Sequence, residues 1–169
     1  IAADLGITRE ESDLFAAASQ TKYEAARAQG FFQDEIIPIE VSQGRKKPAL
    51  RVDADEHPRP ATNPAGLAKL RNLFEGGVVT AGNASGINDG ASVMIIGSED
   101  AGQKAGVKPR GRILAGAIAG VPPRVMGLGP VPATKKALTR AGLKLEDMEA
   151  SELNEAFAAQ SLACTRSWG

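Results

Sequence analysis

Aromatic residues are scarce in this chain, at 4% of its 169 residues. An interior with so few rings relies on close backbone packing by the abundant Gly and Ala, which suits a tightly layered α/β protein. The single cysteine, Cys164, excludes an internal disulfide and a cysteine-based zinc site. It fits a reducing cytosol. Acidic and basic side chains balance at 20 each, so the basic excess of a nucleic-acid reader is missing. No apolar run approaches the roughly 18–20 residues that span a bilayer, and no secretory signal is visible. The first residue is Ile1 rather than Met, which reads as a processed or partial product. What remains is ordinary globular composition, 43% hydrophobic and 24% charged, sufficient for one modest domain or parts of two. Neither internal repeats nor low-complexity tracts interrupt it.

Local signals divide the chain near Gly76-Gly77. Thr8-Arg9-Glu10-Glu11 is a capping-box pattern, and it predicts a helix to about Gln29, stopped by Gly30. Ile37, Ile39 and Val41 alternate as a strand, with Pro38 favouring an edge position. Leu50 to Asp53 is a second short strand, and the charged, proline-bearing stretch 53–60 is a surface loop. Asn63-Pro64 opens a helix whose face is Leu67, Leu70 and Phe74.

Beyond the boundary, strands are predicted at Val78 to Ala81, Ile113 to Ala119 and Met148 to Leu153. A further one, at Ala91 to Ile96, has the near-continuous apolar character of a strand buried on both faces. Helices are expected from Ser98 to Gly106, from Pro132 to Gly142 and from Ala156 to Arg166. This alternation argues for a parallel sheet with crossover helices. The first 76 or so residues read as more α+β and more exposed.

Two segments stand where an α/β fold presents its site. Asn154-Glu155-Ala156-Phe157 closes a strand and opens a helix, the edge where open α/β sheets bind ligands. Asn154 has two readings. As a helix N-cap, it would have Glu155 beside it as a first-turn acid. As a functional amide, it would hold a water or stabilise charge on a carbonyl oxygen. Gly82 to Gly90 packs three glycines, two asparagines, a serine and an aspartate into nine residues. It is either an elaborate turn held by Asx hydrogen bonds or a binding loop that lets a ligand approach the backbone. It is not a phosphate-binding Walker loop, and Gly127-Leu128-Gly129 is not a dinucleotide fingerprint, because Pro132 takes the place of the third glycine. Asn83-Ala84-Ser85 matches a glycosylation sequon but lacks a secretory context. His57 lies in a charged loop and reads as solvated or salt-bridged. Cys164, inside an Ala-rich helix, reads as a small packed side chain, with no base or helix N-terminus to activate it. Met126, in a Pro/Gly-rich loop, either lines an apolar tunnel or packs the loop. No metal site is supported.

Five strings in order make a more specific pattern than any one alone. They are Glu35-Ile36-Ile37-Pro38; Asp55-Glu56 with Arg59; Thr80 to Gly86 with Asn88-Asp89-Gly90; Met126-Gly127 with Gly129-Pro130; and Asn154 to Ala158. Together they resemble the thiolases, over essentially the whole chain. The resemblance implies a layered αβαβα thiolase-like fold, seen in part, with an α+β loop-domain segment. It assigns 1–76 to part of a lid-like loop domain, 77–108 to the end of the N-terminal half and 109–169 to the start of the C-terminal half.

It also implies an acyl-CoA C-acetyltransferase, performing Claisen condensation or thiolysis of a 3-ketoacyl-CoA through a cysteine acyl-enzyme. By that likeness Asn154 holds a catalytic water in an oxyanion hole, and Ser85 contacts the pantetheine arm of CoA with Ala81 and Phe74 nearby. Arg59 approaches the nucleotide end, and Met126 and Phe157 line the acyl and pantetheine pocket. CoA and acetyl-CoA are substrates, no cofactor is permanently bound, and the full-length form is a dimer or tetramer of identical chains in the cytoplasm or an organellar matrix. The family's nucleophilic Cys would precede Ile1, and its Gly-His-Pro histidine and Cys-x-Gly-Gly base would follow Gly169. This polypeptide alone is therefore expected to show no turnover. The alternatives are a thiolase-like protein that binds CoA or lipid without catalysis, and a subunit that completes its site with a second chain. Pro122 to Gly127 leans toward the degradative members that act on ketoadipyl-CoA.

Overall fold

The computed structural model describes residues 1–169, the whole chain. Its frame is helical: α1 (Ala2–Leu5), α2 (Arg9–Ala28), α3 (Pro64–Leu67), α4 (Glu99–Lys104), α5 (Pro130–Ala141) and α6 (Ala158–Trp168). The only ladder is an antiparallel hairpin of β1 (Ile39–Val41) and β2 (Leu50–Val52), with Glu40 opposite Arg51. No helix is long and apolar enough to cross a membrane.

Helix ends follow their local chemistry. The Thr8 hydroxyl accepts the Glu11 amide N–H, and the Glu11 carboxylate accepts the Thr8 amide N–H at 2.8 Å, forming the reciprocal box. The helix that opens there is followed by Gly30 at φ 75°, a left-handed stop. Gly106 (φ 66°) and Gly142 (φ 69°) end α4 and α5 in the same way.

Helix α6 is the centre of the fold. Ala158, Ala159, Gln160, Ser161, Ala163 and Cys164 are all buried, and these small side chains let α2, α1, α5 and the 3-10 turn Pro123–Leu128 pack closely around it. Its apolar nucleus is Ile7, Ala159 and Ala163, flanked by Ile1, Ala2, Val78, Leu128 and Leu162. At Gly127 any Cβ would lie 2.7 Å from the Gln160 Cγ, so only glycine allows that turn to lie flat on α6.

The expected parallel sheet is not formed. Segments 78–81, 91–96, 113–119 and 148–153 carry no ladder. The apolar run at 91–96, read as doubly buried, is open, with Val93 94% and Ile95 96% exposed. A strand is stable only beside a hydrogen-bonding neighbour, and none of these four forms a ladder with another segment. The helix at Asn63-Pro64 is also shorter than its apolar pattern predicts: Leu67 is buried, but Phe74 is exposed. Asn154 does not cap α6; Phe157 holds that position, with no side-chain cap.

The surface measures this incompleteness. The chain exposes 13465 Å², against about 7,900 Å² for a compact monomer of its mass. Its 78 backbone–backbone hydrogen bonds fall short of the roughly 110–125 of a compact domain this long. The isolated chain should therefore unfold in urea with an m-value well below that of a compact domain of its length, and should bind a hydrophobic dye in buffer. A steep, dye-silent transition would contradict this.

Candidate functional site

The glycine-rich loop and the start of α6 are joined as one unit. Ser85 N–H donates to the Ala156 carbonyl and Ala158 N–H to the Asn83 carbonyl, both at 2.9 Å, making an antiparallel bridge between Ala84 and Phe157. This bridge brings Ser85 and Asn154 to one cavity of about 250 Å³. Phe15, Ala16, Ser19 and Gln20 of α2 form one wall. Gly82 to Ser85 form another, His57 a third, and Asn154, Glu155 and Ala158 the floor.

Close packing sets the loop's shape. A Cβ at Gly82 would lie 2.4 Å from the Leu67 Cδ2 and 2.6 Å from the Leu70 Cδ1. One at Gly86 would meet the His57 ring at 2.5 Å. Polar contacts hold the walls together. The Ser19 hydroxyl donates to Glu155 Oε2 at 2.6 Å, and Arg59 N–H donates to Gln20 Oε1 at 2.8 Å. The Tyr23 hydroxyl donates to Asp55 at 3.1 Å, tying the 53–60 loop to α2.

Behind the loop lies a polar network. Asn83 Nδ2 donates to Asp13 Oδ1 and to the Val78 carbonyl, each at 2.9 Å, and Asn83 Oδ1 accepts Thr80 N–H at 2.8 Å. Asp13 Oδ2 accepts Arg9 Nε–H at 2.8 Å. The Arg9 guanidinium also donates to the Leu67 and Leu70 carbonyls and to Asn72 Oδ1.

The residues singled out from sequence do not all converge. Asn154 and Ser85 face the same cavity. Phe157 meets Ala84 through the bridge, and Ala81 is exposed at the edge of the same turn. Arg59 is turned onto its own loop, its Nη1 donating to the carbonyls of Glu56, His57 and Pro58. Met126 (70% exposed) and Phe74 (69% exposed) lie outside the cavity wall. Sequence reasoning does not single out Ser19 and Gln20, and it reads Glu155 only as a first-turn acid; His57, read as solvated or salt-bridged, is exposed and lines the cavity. The available signal was Phe15, Ala16, Ser19 and Gln20 at i, i+1, i+4 and i+5, one mixed face of a long helix.

Cys164 is fully buried. Its thiol donates to the Gly127 carbonyl at 3.2 Å, and Gln160 Nε2 contacts the sulfur at 3.5 Å. Burial pushes the thiol above its ordinary value, and the Gln160 contact opposes that only in part. A raised thiol pKa gives stability that is full below the unfolded thiol's value of about 8.5 and is lost as pH rises through the higher folded value. Cys164 should resist alkylation at neutral pH in the folded chain and react at once in denaturant. Rapid labelling of the folded chain would contradict this.

Comparison with known proteins adds to the geometry. Sequence profiles of the thiolase N-terminal domain and C-terminal domain match residues 1–100 and 107–169. A beta-ketoadipyl-CoA thiolase of Acinetobacter baylyi is 49% identical over 170 residues, covering 100% of this chain and 42% of that protein. An acetyl-CoA acetyltransferase of Allochromatium vinosum is 51% identical, covering 100% of this chain and 43% of that protein. Crystal structures of human mitochondrial 3-ketoacyl-CoA thiolase superpose with TM-scores of 0.91 and, for one in complex with CoA, 0.90. Both are 48% identical and cover 99% of this chain, but 42% and 41% of those chains. The chain thus spans about two-fifths of the length of the relatives it matches, and its backbone follows the α/β thiolase fold even where its strands stand unpaired. With both family domains matched and near-50% identity along its whole length, this chain belongs to the thiolase family.

Proposed function

We propose that this chain is the central part of an acyl-CoA C-acyltransferase that condenses acyl-CoA units or thiolytically cleaves a 3-ketoacyl-CoA. The observation that carries the reading is the shared cavity of Asn154 and Ser85, formed by the Ala84–Phe157 bridge in a chain of this family.

In thiolysis a cysteine thiolate attacks the 3-keto carbonyl, the C2–C3 bond breaks, and acetyl-CoA leaves as its enolate to be protonated. The thiolate of a second CoA then takes the acyl group from the cysteine. Negative charge develops on a carbonyl oxygen in both halves. The Asn154 carboxamide, which caps no helix, supplies N–H donors there or holds a water that does. Ser85 and the neighbouring loop receive the pantetheine arm, with Ala81 and Phe74 beside it. Phe157 and Met126 flank the acyl side. Arg59, once released from its own loop carbonyls, reaches the nucleotide end.

The nucleophile is not Cys164. A buried neutral thiol bonded to a backbone carbonyl is a poor attacking group. The chain by itself should therefore show no thiolysis. The whole protein acts on CoA thioesters as a dimer or tetramer in the cytoplasm or an organellar matrix.

Sequencing the coding region on both sides tests this directly. The expected result is a cysteine upstream, with Gly-His-Pro and Cys-x-Gly-Gly downstream. Thiolysis by this chain alone, abolished by Cys164→Ser, would overturn the assignment.

A further inference from the structure

We propose that Asp13 is a positioning residue that sets the CoA-binding loop through Asn83, an assignment that rests on the reading of Ser85 as a CoA contact. Asn83 and Asp13 are each 4% exposed, and Thr80 is fully buried. The Asn83 carboxamide uses both donors and its acceptor, on Asp13, Val78 and Thr80. Its main-chain carbonyl holds the Ala158 amide, and the Ser85 amide two residues on holds the Ala156 carbonyl. One side chain thus closes the turn 78–83 while its backbone fixes the bridge between Ser85 and the segment that carries Asn154.

The orientation of that amide is what matters. Flipped, its oxygen would face the Asp13 carboxylate and the Val78 carbonyl and its NH₂ would face the Thr80 N–H, giving three repulsive contacts in place of three bonds. Asp13 is acceptor-only, so together with the Val78 carbonyl it permits a single orientation. Arg9 holds the other carboxylate oxygen at 2.8 Å and fans out to the carbonyls after α3. The loop is therefore registered against α2 and the α3 region from behind, by Arg9 and Asp13, which do not line the cavity.

Asp13→Asn keeps the volume but cannot accept from both Arg9 and Asn83. In the full polypeptide it should weaken CoA binding by roughly 10–100-fold in a calorimetric titration. It should also speed amide exchange at Ser85 and Ala158 while leaving α5 amides unchanged. If Asp13→Asn does not fold, Asp13→Glu keeps the charge and lengthens the tether by one methylene, and a smaller loss of affinity is expected. Full-strength CoA binding in the single variants, or faster exchange spread evenly over α5, would overturn the assignment alone. No CoA binding by the unsubstituted protein would overturn the reading of the site and this assignment with it.

Discussion

Replacing Asn154 with alanine in the complete enzyme should lower kcat about 10²–10³-fold, or about 2.7–4 kcal/mol of transition-state stabilisation. The reason is geometric. The side chain lines the cavity with Ser85 and is not used as a helix cap. On the proposed mechanism its loss removes a donor to the reacting oxygen and leaves the frame of α6 in place. Affinity for CoA should change little if, as proposed, the loop across the cavity holds the arm. Steady-state thiolysis with a CoA titration separates the two effects. A variant that loses CoA affinity but keeps kcat would make Asn154 a binding residue and contradict the oxyanion role. Asn154→Asp retains the shape but presents an acceptor with negative charge and should be at least as impaired.

Arg9→Met should cost about 1–3 kcal/mol of folding stability, the penalty for leaving part-buried acceptors short of a donor. Arg9 and Asp13 side chains are 24% and 6% exposed. The substitution leaves the Asp13 carboxylate with the Asn83 amide alone and also frees the carbonyls of Leu67 and Leu70. By comparison, most surface ion pairs contribute about 0–1 kcal/mol, and the Arg51–Asp53 pair on the hairpin, more than half exposed on both sides, belongs with those. Urea denaturation of Arg9→Met beside Arg51→Met makes the contrast measurable. Equal, small effects would mean that water reaches the network.

Features set within a few residues were readable from the chain. The Thr8 to Glu11 box, the stops at Gly30, Gly106 and Gly142, the hairpin after Pro38 and the cap at Ser98 all form where composition places them. Each depends on backbone sterics or on a side chain bonding three residues away. The strand at 91–96 was misread because its apolar run reports a wish for neighbours and not their presence. The same holds for 113–119. The helix at Asn63-Pro64 ends at Leu67, and the carbonyls of Leu67 and Leu70 accept from Arg9, which lies far away in sequence.

The site divides in the same way. Asn154 and Ser85 stood out as polar residues at an edge and in a glycine-rich loop, and they do share a cavity. The α2 wall did not stand out, since Ser19 and Gln20 look like ordinary solvent-facing polar side chains until the loop folds over them. The Asn83 to Asp13 contact spans 70 residues of chain. Nothing local at either position announces it.

That contact has a consequence for how such sequences drift. Arg9 and Asn83 both donate to Asp13, one to each carboxylate oxygen, so a lone change at Asp13 disturbs both contacts at once. Descendants should keep the trio intact or exchange it together, whereas the neighbouring hairpin, whose charges point into water, is free to vary one letter at a time.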